Sequence, residues 1–408
     1  MKPLGPVPNT FSDKNGILAI DDEDAEALVA RAGRTPLFVY SRALIRTRVA
    51  RLRAALPAEI ALHYAVKANP YKPVLETLLE DVDGFDIASG GELDLVVAAG
   101  IDPRQVSFAG PGKRDDELFK AIGLGVTLNV ESENEARRAL RLAEAAGRPP
   151  RIAIRVNPEF DLKGSGMKMG GGAKPFGLDA ERVPALVREV VAGGAEWRGF
   201  HIFAGSQALS AEHIIETQAQ TLQLAARLAE QGGAGCPHLN LGGGFGIPYF
   251  PGDEPLDLER VGAALAERLA VRPAVLAETR MCLELGRYLV GEAGVYLTRI
   301  VDRKVSHGEV FLITDGGMHH QLAASGNFGT VVRRNYPVAI ASRFGAPVEE
   351  EASVVGCLCT PLDRLADKAG LPRAEVGDLV AVFCAGAYGA TASPMQFLGQ
   401  GPAAELMV

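Results

Sequence analysis

From residue 59 to residue 287, hydrophobic and polar positions follow one repeating unit: a short apolar run rich in β-branched residues, a turn holding Gly, Asn or Ser, and a longer stretch with Leu, Val and Ala at three- to four-residue steps. The first part predicts a strand and the last an amphipathic helix. The strand-like runs are IALHYAVKAN (60–69), GFDIAS (84–89), VSFAG (106–110), VTLNV (126–130), RIAIRVN (151–157), GFHIFAGS (199–206), HLNLGGG (238–244) and MCLELGR (281–287). Helical spacing fills 72–81, 91–99, 114–123, 132–147, 180–193, 211–232 and 257–270. Strand and helix alternate in an open doubly wound sheet as well. A count of eight strands and the lack of a G-x-G-x-x-G after the first one favour a closed parallel TIM (β/α)8 barrel.

Beyond about residue 290 the pattern turns β-rich without long helices, in 290–305, 309–317, 352–359, 377–389 and 404–408. This predicts a separate antiparallel β-domain. Residues 1–35, with GILAI (16–20) and an acidic helical stretch, are too short to stand alone and are assigned to the same domain. The expected division is therefore an α/β barrel over 36–290 and a β-domain from 1–35 and 291–408.

Composition narrows the partners. The 408 residues are 47% hydrophobic and 23% charged with a net charge of −8, a globular balance with no dense basic run, which argues against nucleic acid as a partner. No stretch reaches the roughly 18 uninterrupted apolar residues of a membrane span. Cys236, Cys282, Cys357, Cys359 and Cys384 are odd in number and lack zinc-site spacing, so they read as reduced thiols of a cytoplasmic protein, with no metal site expected.

In such barrels chemistry sits at the carboxyl ends of the strands. There stand Lys67, Asp86, Ser89, Asn157, His201, Gly242–Gly244 and Glu284–Arg287. Lys67, in YAVKANP, is either a Schiff-base amine whose pKa is lowered by partial burial or a rim lysine paired to a carboxylate. Three glycines in NLGGGFGIPYF (240–250) let backbone amides approach an anion, or make a tight turn. Gly286-Arg287 follows the next strand, where a guanidinium suits the same phosphate. Glu284, in an apolar context, needs a cation: an arginine or a protonated ring nitrogen of a cofactor. His201 is a core histidine or a surface for a flat ring, with Ser206 and Gln207 just beyond. In the β-domain, Cys359 lies in a turn near Asp363 and is a candidate acid. Tyr388, in CAGAYG, is a core residue or reaches a partner with its phenol.

Together, YAVKANP, FDIASGGEL, LGGGFG, ELGR and GAYG resemble, in order, the motifs of the pyridoxal-phosphate decarboxylases of the alanine-racemase-like fold, the group holding diaminopimelate and ornithine decarboxylases. The resemblance runs over nearly the whole chain. It implies pyridoxal 5'-phosphate as cofactor, bonded covalently to Lys67. His201 would stack on its ring, Glu284 would hold the ring nitrogen, and Asp86 would be a further cofactor contact. Ser206, Gly243, Gly244, Gly286, Arg287 and Tyr388 would bind phosphate. Cys359, as acid, and Asp363, as a substrate contact, would enter from the partner subunit of a homodimer with shared sites. Thr360 follows Cys359 where the diaminopimelate branch has Glu, DGGMHHQLAASGNFGTVVRRNYP (315–337) replaces that branch's specificity helix, and HIFAGSQ is two residues longer than the usual HIGSQ. These features, with KMGGGAKPFG (168–177), are similar to decarboxylases of secondary-metabolite and exosortase-associated clusters, including butirosin-type glutamyl-carrier-protein decarboxylases. The expected substrate is an amino acid or an aminoacyl group on a carrier protein, with Arg333, Arg334 and Tyr336 as candidate contacts. Diaminopimelate is the alternative.

Overall fold

A computed structural model describes residues 1–326 and 334–408 and divides the chain into two compact units. One unit is Val49–Ile247 with Pro255–Gly286; the other is Met1–Arg48, Pro248–Glu254 and Arg287–Val408. Residues 36–48, expected with the barrel, cluster with the second unit because Leu37–Tyr40 is a strand paired to Gly294–Ser306.

In the first unit every expected run forms a strand: β1 (Ile60–Ala65), β2 (Gly84–Ile87), β3 (Val106–Phe108), β4 (Thr127–Val130), β5 (Arg151–Asn157), β6 (Glu196–Ile202), β7 (His238–Gly243) and β8 (Arg280–Leu285). Neighbours pair in parallel in the order 5-6-7-8-1-2-3-4, and β4 returns to β5, closing an eight-stranded barrel. Between the strands run the helices α1 (Lys72–Leu79), α2 (Gly90–Ala98), α3 (Asp115–Leu124), α4 (Glu133–Ala146), α5 (Val183–Ala192), α6 (Ala211–Gly232) and α7 (Leu258–Ala270). Side chains that favour N-caps fix where several begin: Ser89, Ser132, Ser210 and Asp257 each accept the backbone N–H three residues on. Left-handed Gly125, Gly147 and Gly233 end α3, α4 and α6. Caps at these turns hold the strand ends in place, and the strand ends carry the chemistry.

The second unit is a mixed rather than purely antiparallel β-structure. The 13-residue strand Gly294–Ser306 is its spine. Its first half pairs antiparallel with Leu37–Tyr40 and Leu379–Val382, its second half with Glu309–Thr314. Two pairings are parallel: Glu309–Thr314 with Glu350–Val355, and Leu37–Tyr40 with Ala404–Met407. The amino-terminal segment contributes the strand Ile17–Ile20 and the helix Ala25–Ala32, and Leu18, Ile20 and Leu28 share one buried core with Val39, Val295, Leu297 and Phe383. Among the described residues, no helix is long and apolar enough to cross a membrane.

Candidate active site

Lys67 does not end β1 as a strand residue. Asn69-Pro70 bars continued helix, and the chain leaves β1 through a single 3-10 turn, Val66–Ala68, with Lys67 at its centre. The Lys67 side chain is 45% exposed, its Nζ 3.7 Å from Glu284 Oε1. Nζ also lies 5.5 Å above the ring of Phe203. Gly286 lies against the same turn: a Cβ on it would come within 2.9 Å of the Ala68 methyl.

Glu284 and His201 face each other from β8 and β6, both buried, with His201 Nε2 3.0 Å from Glu284 Oε2. Burial alone pushes the Glu284 carboxyl up, but Lys67, the His201 hydrogen bond and Arg155 outweigh it and hold the group far below the usual carboxylate range. It is therefore a fixed anion inside the barrel. His201 thus uses one ring nitrogen for Glu284, whereas Nδ1 is buried without a hydrogen-bond partner among the described residues.

The glycine run turns at the end of β7. Gly242 and Gly244 have φ of +70° and +79°. A Cβ on Gly243 would strike the Glu284 carbonyl oxygen, and one on Gly244 the Gly205 carbonyl oxygen. The loop is clasped by Gln207, whose Nε2 donates to the Ile247 carbonyl at 2.6 Å while its Oε1 accepts the Ile247 N–H at 3.2 Å. Ser206 stands beside the clasp, in the short pairing of Gly205–Ser206 with Met167–Lys168.

The two residues that lengthen HIFAGSQ have separate uses. Phe203 supplies the ring beneath Lys67 Nζ. Ala204 offers its carbonyl to the N–H groups of Met169 and Gly170, each at 3.1 Å. The sequence pattern gave no role to Phe203, Gln207 or Arg155. Arg155 carried a signal: a charged residue at an alternating position of the apolar run RIAIRVN has to point inward and find a partner, here Glu131 at 3.0 Å.

Asp86 is buried inside the barrel, bonded to His63 Nδ1 at 3.2 Å and to the Ser107 hydroxyl. Burial by itself would lower the His63 pKa, but Cys282 and Asp86 raise it well above the ordinary value.

The second unit holds its own cluster. Arg287 is half-buried, donates from Nη1 to the Tyr249 hydroxyl at 2.7 Å and lies 4.8 Å over the Tyr388 ring. Its Nε atom is buried without a hydrogen-bond partner among the described residues. Tyr388 adopts a left-handed φ of +57°, rare for an aromatic residue. Tyr336 is buried against Tyr249 and Phe250, and Arg334 is exposed and stacked 3.8 Å over Phe250. Arg333 lies outside the described residues. Cys359 is exposed. Asp363 is buried, accepting the Met318 N–H at 2.6 Å on Oδ1 and the Leu358 N–H at 2.9 Å on Oδ2. That use differs from the substrate contact expected of it: the carboxylate staples the Cys359 turn to the 315–318 segment.

These features fit a phosphorylated pyridine aldehyde. An amine for its carbonyl, a buried permanent anion for a ring nitrogen, and a glycine turn packed too closely against backbone carbonyls for any Cβ lie in one barrel. A half-buried guanidinium, whose Nε has no hydrogen-bond partner among the described residues, follows in the GR motif.

Comparison with known proteins agrees. Residues 42–291 match the family model described as "Pyridoxal-dependent decarboxylase, pyridoxal binding domain". The chain is 34% identical to an L-glutamyl-[BtrI acyl-carrier protein] decarboxylase of Niallia circulans, over 95% of this chain and 92% of that protein. It is 33% identical to a diaminopimelate decarboxylase of Methanothermobacter thermautotrophicus, over 93% and 88% of the two chains. Among solved structures, a diaminopimelate decarboxylase of M. jannaschii superposes with a TM-score of 0.88 at 25% identity, covering 98% of this chain and 92% of the other.

Proposed function

The chain belongs to the pyridoxal-dependent decarboxylases, and from that premise we propose that it removes the α-carboxylate of an acidic amino acid or of an aminoacyl group tethered to a carrier protein. The observation that supports the chemistry is the cluster of Lys67 Nζ, Glu284 and His201, with 3.7 and 3.0 Å between partners. When bound, pyridoxal phosphate supplies an electron-accepting ring for the charge left behind by CO₂. Lys67 is the amine that holds it. Glu284 keeps a proton at the ring nitrogen, a task suited to a carboxylate that stays ionised. His201 fixes the Glu284 carboxylate through Nε2. Ser206, Gly243, Gly244, Gly286, Arg287 and Tyr388 bind the phosphate, a role that rests on likeness to the family's motifs. Cys359 delivers the proton to the carbon that has lost CO₂, reaching it from the second subunit of a homodimer, and Asp363 positions its turn.

Thr360 supports the substrate class. A site for a distal ammonium needs an anion beside it, and Thr360 provides none. The exposed guanidinium of Arg334 suits a carboxylate or the phosphate of a pantetheine arm. Measuring CO₂ release from free and carrier-tethered glutamate, diaminopimelate, lysine and ornithine tests the reading. The tethered or acidic compounds should have the highest kcat/KM. A higher value for free diaminopimelate establishes the alternative, diaminopimelate decarboxylation. The expected cellular setting is the cytoplasm.

A further inference from the structure

The amino-terminal end of the barrel, opposite the strand ends that carry Lys67 and Glu284, is not packed. Barrels of this kind fill their interior with layers of bulky branched residues. Here the inward positions are small or polar, Ala61, Ser107, Thr127, Ala153 and Asn240 among them, and they leave a cavity of about 310 Å³ reaching inward to His63 and Cys282. Its size sits at the low end of the roughly 300–1,000 Å³ of small-molecule sites.

Three arginines line this cavity, Arg104, Arg198 and Arg280, against one acid, Asp83. Asp83 is already committed to Arg53 at 2.6 Å and to the Leu62 N–H at 2.7 Å. Arg198 shares Glu196 with Arg151, at 3.1 and 3.2 Å, so one carboxylate serves two guanidinium groups. Arg198 Nε is buried with no hydrogen-bond partner among the described residues. Arg104 and Arg280 have no ion-pair partner among the described residues. A protein of net charge −8 thus gathers uncompensated positive charge at one concave mouth, where low-dielectric walls strengthen the field.

We propose that this mouth is a second binding site, for a small multivalent oxyanion held by Arg104, Arg198 and Arg280. His238, which also lines the cavity, is pushed down to about 4 by burial and then by Arg198, Arg280 and Arg151. It is neutral at pH 7 and serves as a hydrogen-bonding group rather than a fourth charge. The shared chemistry is paired or clustered anionic oxygens, which planar guanidinium groups grip at two points. Phosphate and polycarboxylates both present it.

The test uses holoenzyme saturated with cofactor, so that the phosphate cradle is filled. Inorganic phosphate and citrate are titrated separately at constant ionic strength against chloride, with melting temperature and calorimetric heat as readouts. One or both anions should bind saturably in the low-millimolar range or below. The Arg104→Gln/Arg280→Gln double variant, which alters exposed side chains, should bind at least tenfold more weakly with unchanged basal turnover, and Arg280→Lys should recover part of the loss. A phosphate-only response identifies a tetrahedral anion, and a citrate-only response a polycarboxylate. As a second measurement, labelling of Cys282, located by peptide mapping, should slow when the anion binds. Equal responses to phosphate, citrate and chloride, or undiminished binding in the double variant, would overturn the proposal.

Discussion

Replacing Gly244 with Ala separates backbone strain from loss of the anion cradle. Gly244 has φ +79°, and a Cβ there would overlap the Gly205 carbonyl oxygen and stand 2.9 Å from Leu162 Cδ2. Holding an L-residue in the left-handed region costs about 1–2 kcal/mol. Relief of the overlap requires the loop to move by about 1 Å, a displacement that can cost on the order of 100-fold where groups must be aligned. Gly100 is the matched control: its φ is +85° and a Cβ there meets nothing within 4 Å. As apoprotein Gly244→Ala should lose more stability than Gly100→Ala, since only it adds the overlap with Gly205 and Leu162 to the left-handed strain, measured by denaturant titration. Only Gly244→Ala should also weaken cofactor binding, by roughly 10- to 100-fold, or about 1.4–2.8 kcal/mol, read from the visible absorbance as cofactor is added. Equal cofactor affinity in the two variants would refute the cradle, since strain alone is common to both.

Glu284→Gln should lower turnover about 100- to 1,000-fold while borohydride still traps cofactor on Lys67. Because the Glu284 carboxyl is depressed in the folded state, its stabilising contribution is present above the unfolded value near pH 4.5 and is lost as pH falls through the folded one. Acid titration of the apoproteins should therefore show wild type and variant converging below about pH 4.5; parallel curves would contradict that linkage. Asp363→Ala strands the buried Met318 and Leu358 N–H groups and should cost about 2–5 kcal/mol, seen in thermal melts, with unchanged stability ruling out the staple. Mixing inactive Lys67→Ala and Cys359→Ala subunits should restore about a quarter of wild-type activity if each site draws on both chains of a symmetric dimer; no recovery after verified exchange would count against shared sites.

The barrel was legible because alternation of strand and helix is a local property of the chain, and all eight runs became strands. Lys67, Glu284 and the glycine loop could be singled out for the same reason: a charge in an apolar strand end or three consecutive glycines is visible without knowing what lies opposite. What could not be read depends on partners distant in sequence. That His201 bonds to Glu284, 83 residues away, and that Asp363 is consumed by the N–H of Met318, 45 residues away, leave no trace in spacing. Leu37–Tyr40 reads like any apolar strand, and only its pairing with Gly294–Ser306 places it. The amino-terminal cavity is an intermediate case. Small and polar residues at alternate positions of β1, β3 and β5 mark an underfilled interior, but the arginines around its mouth come from separate loops and strand starts.

The parallel pairing of Ala404–Met407 with Leu37–Tyr40 has a consequence for the order in which the chain is made. The Tyr40 hydroxyl donates to Glu405 across 365 residues of sequence, and Tyr40 and Arg42 exchange backbone hydrogen bonds with Val408. At about 5–20 residues per second of synthesis, Leu37–Tyr40 waits roughly 20–70 s on the ribosome for its neighbour. Throughout that interval an apolar strand, LFVY, presents an open row of amide and carbonyl groups to any extended segment nearby. Newly made protein therefore carries this open edge until residues 404–408 emerge. A protein released without them would keep that edge open permanently.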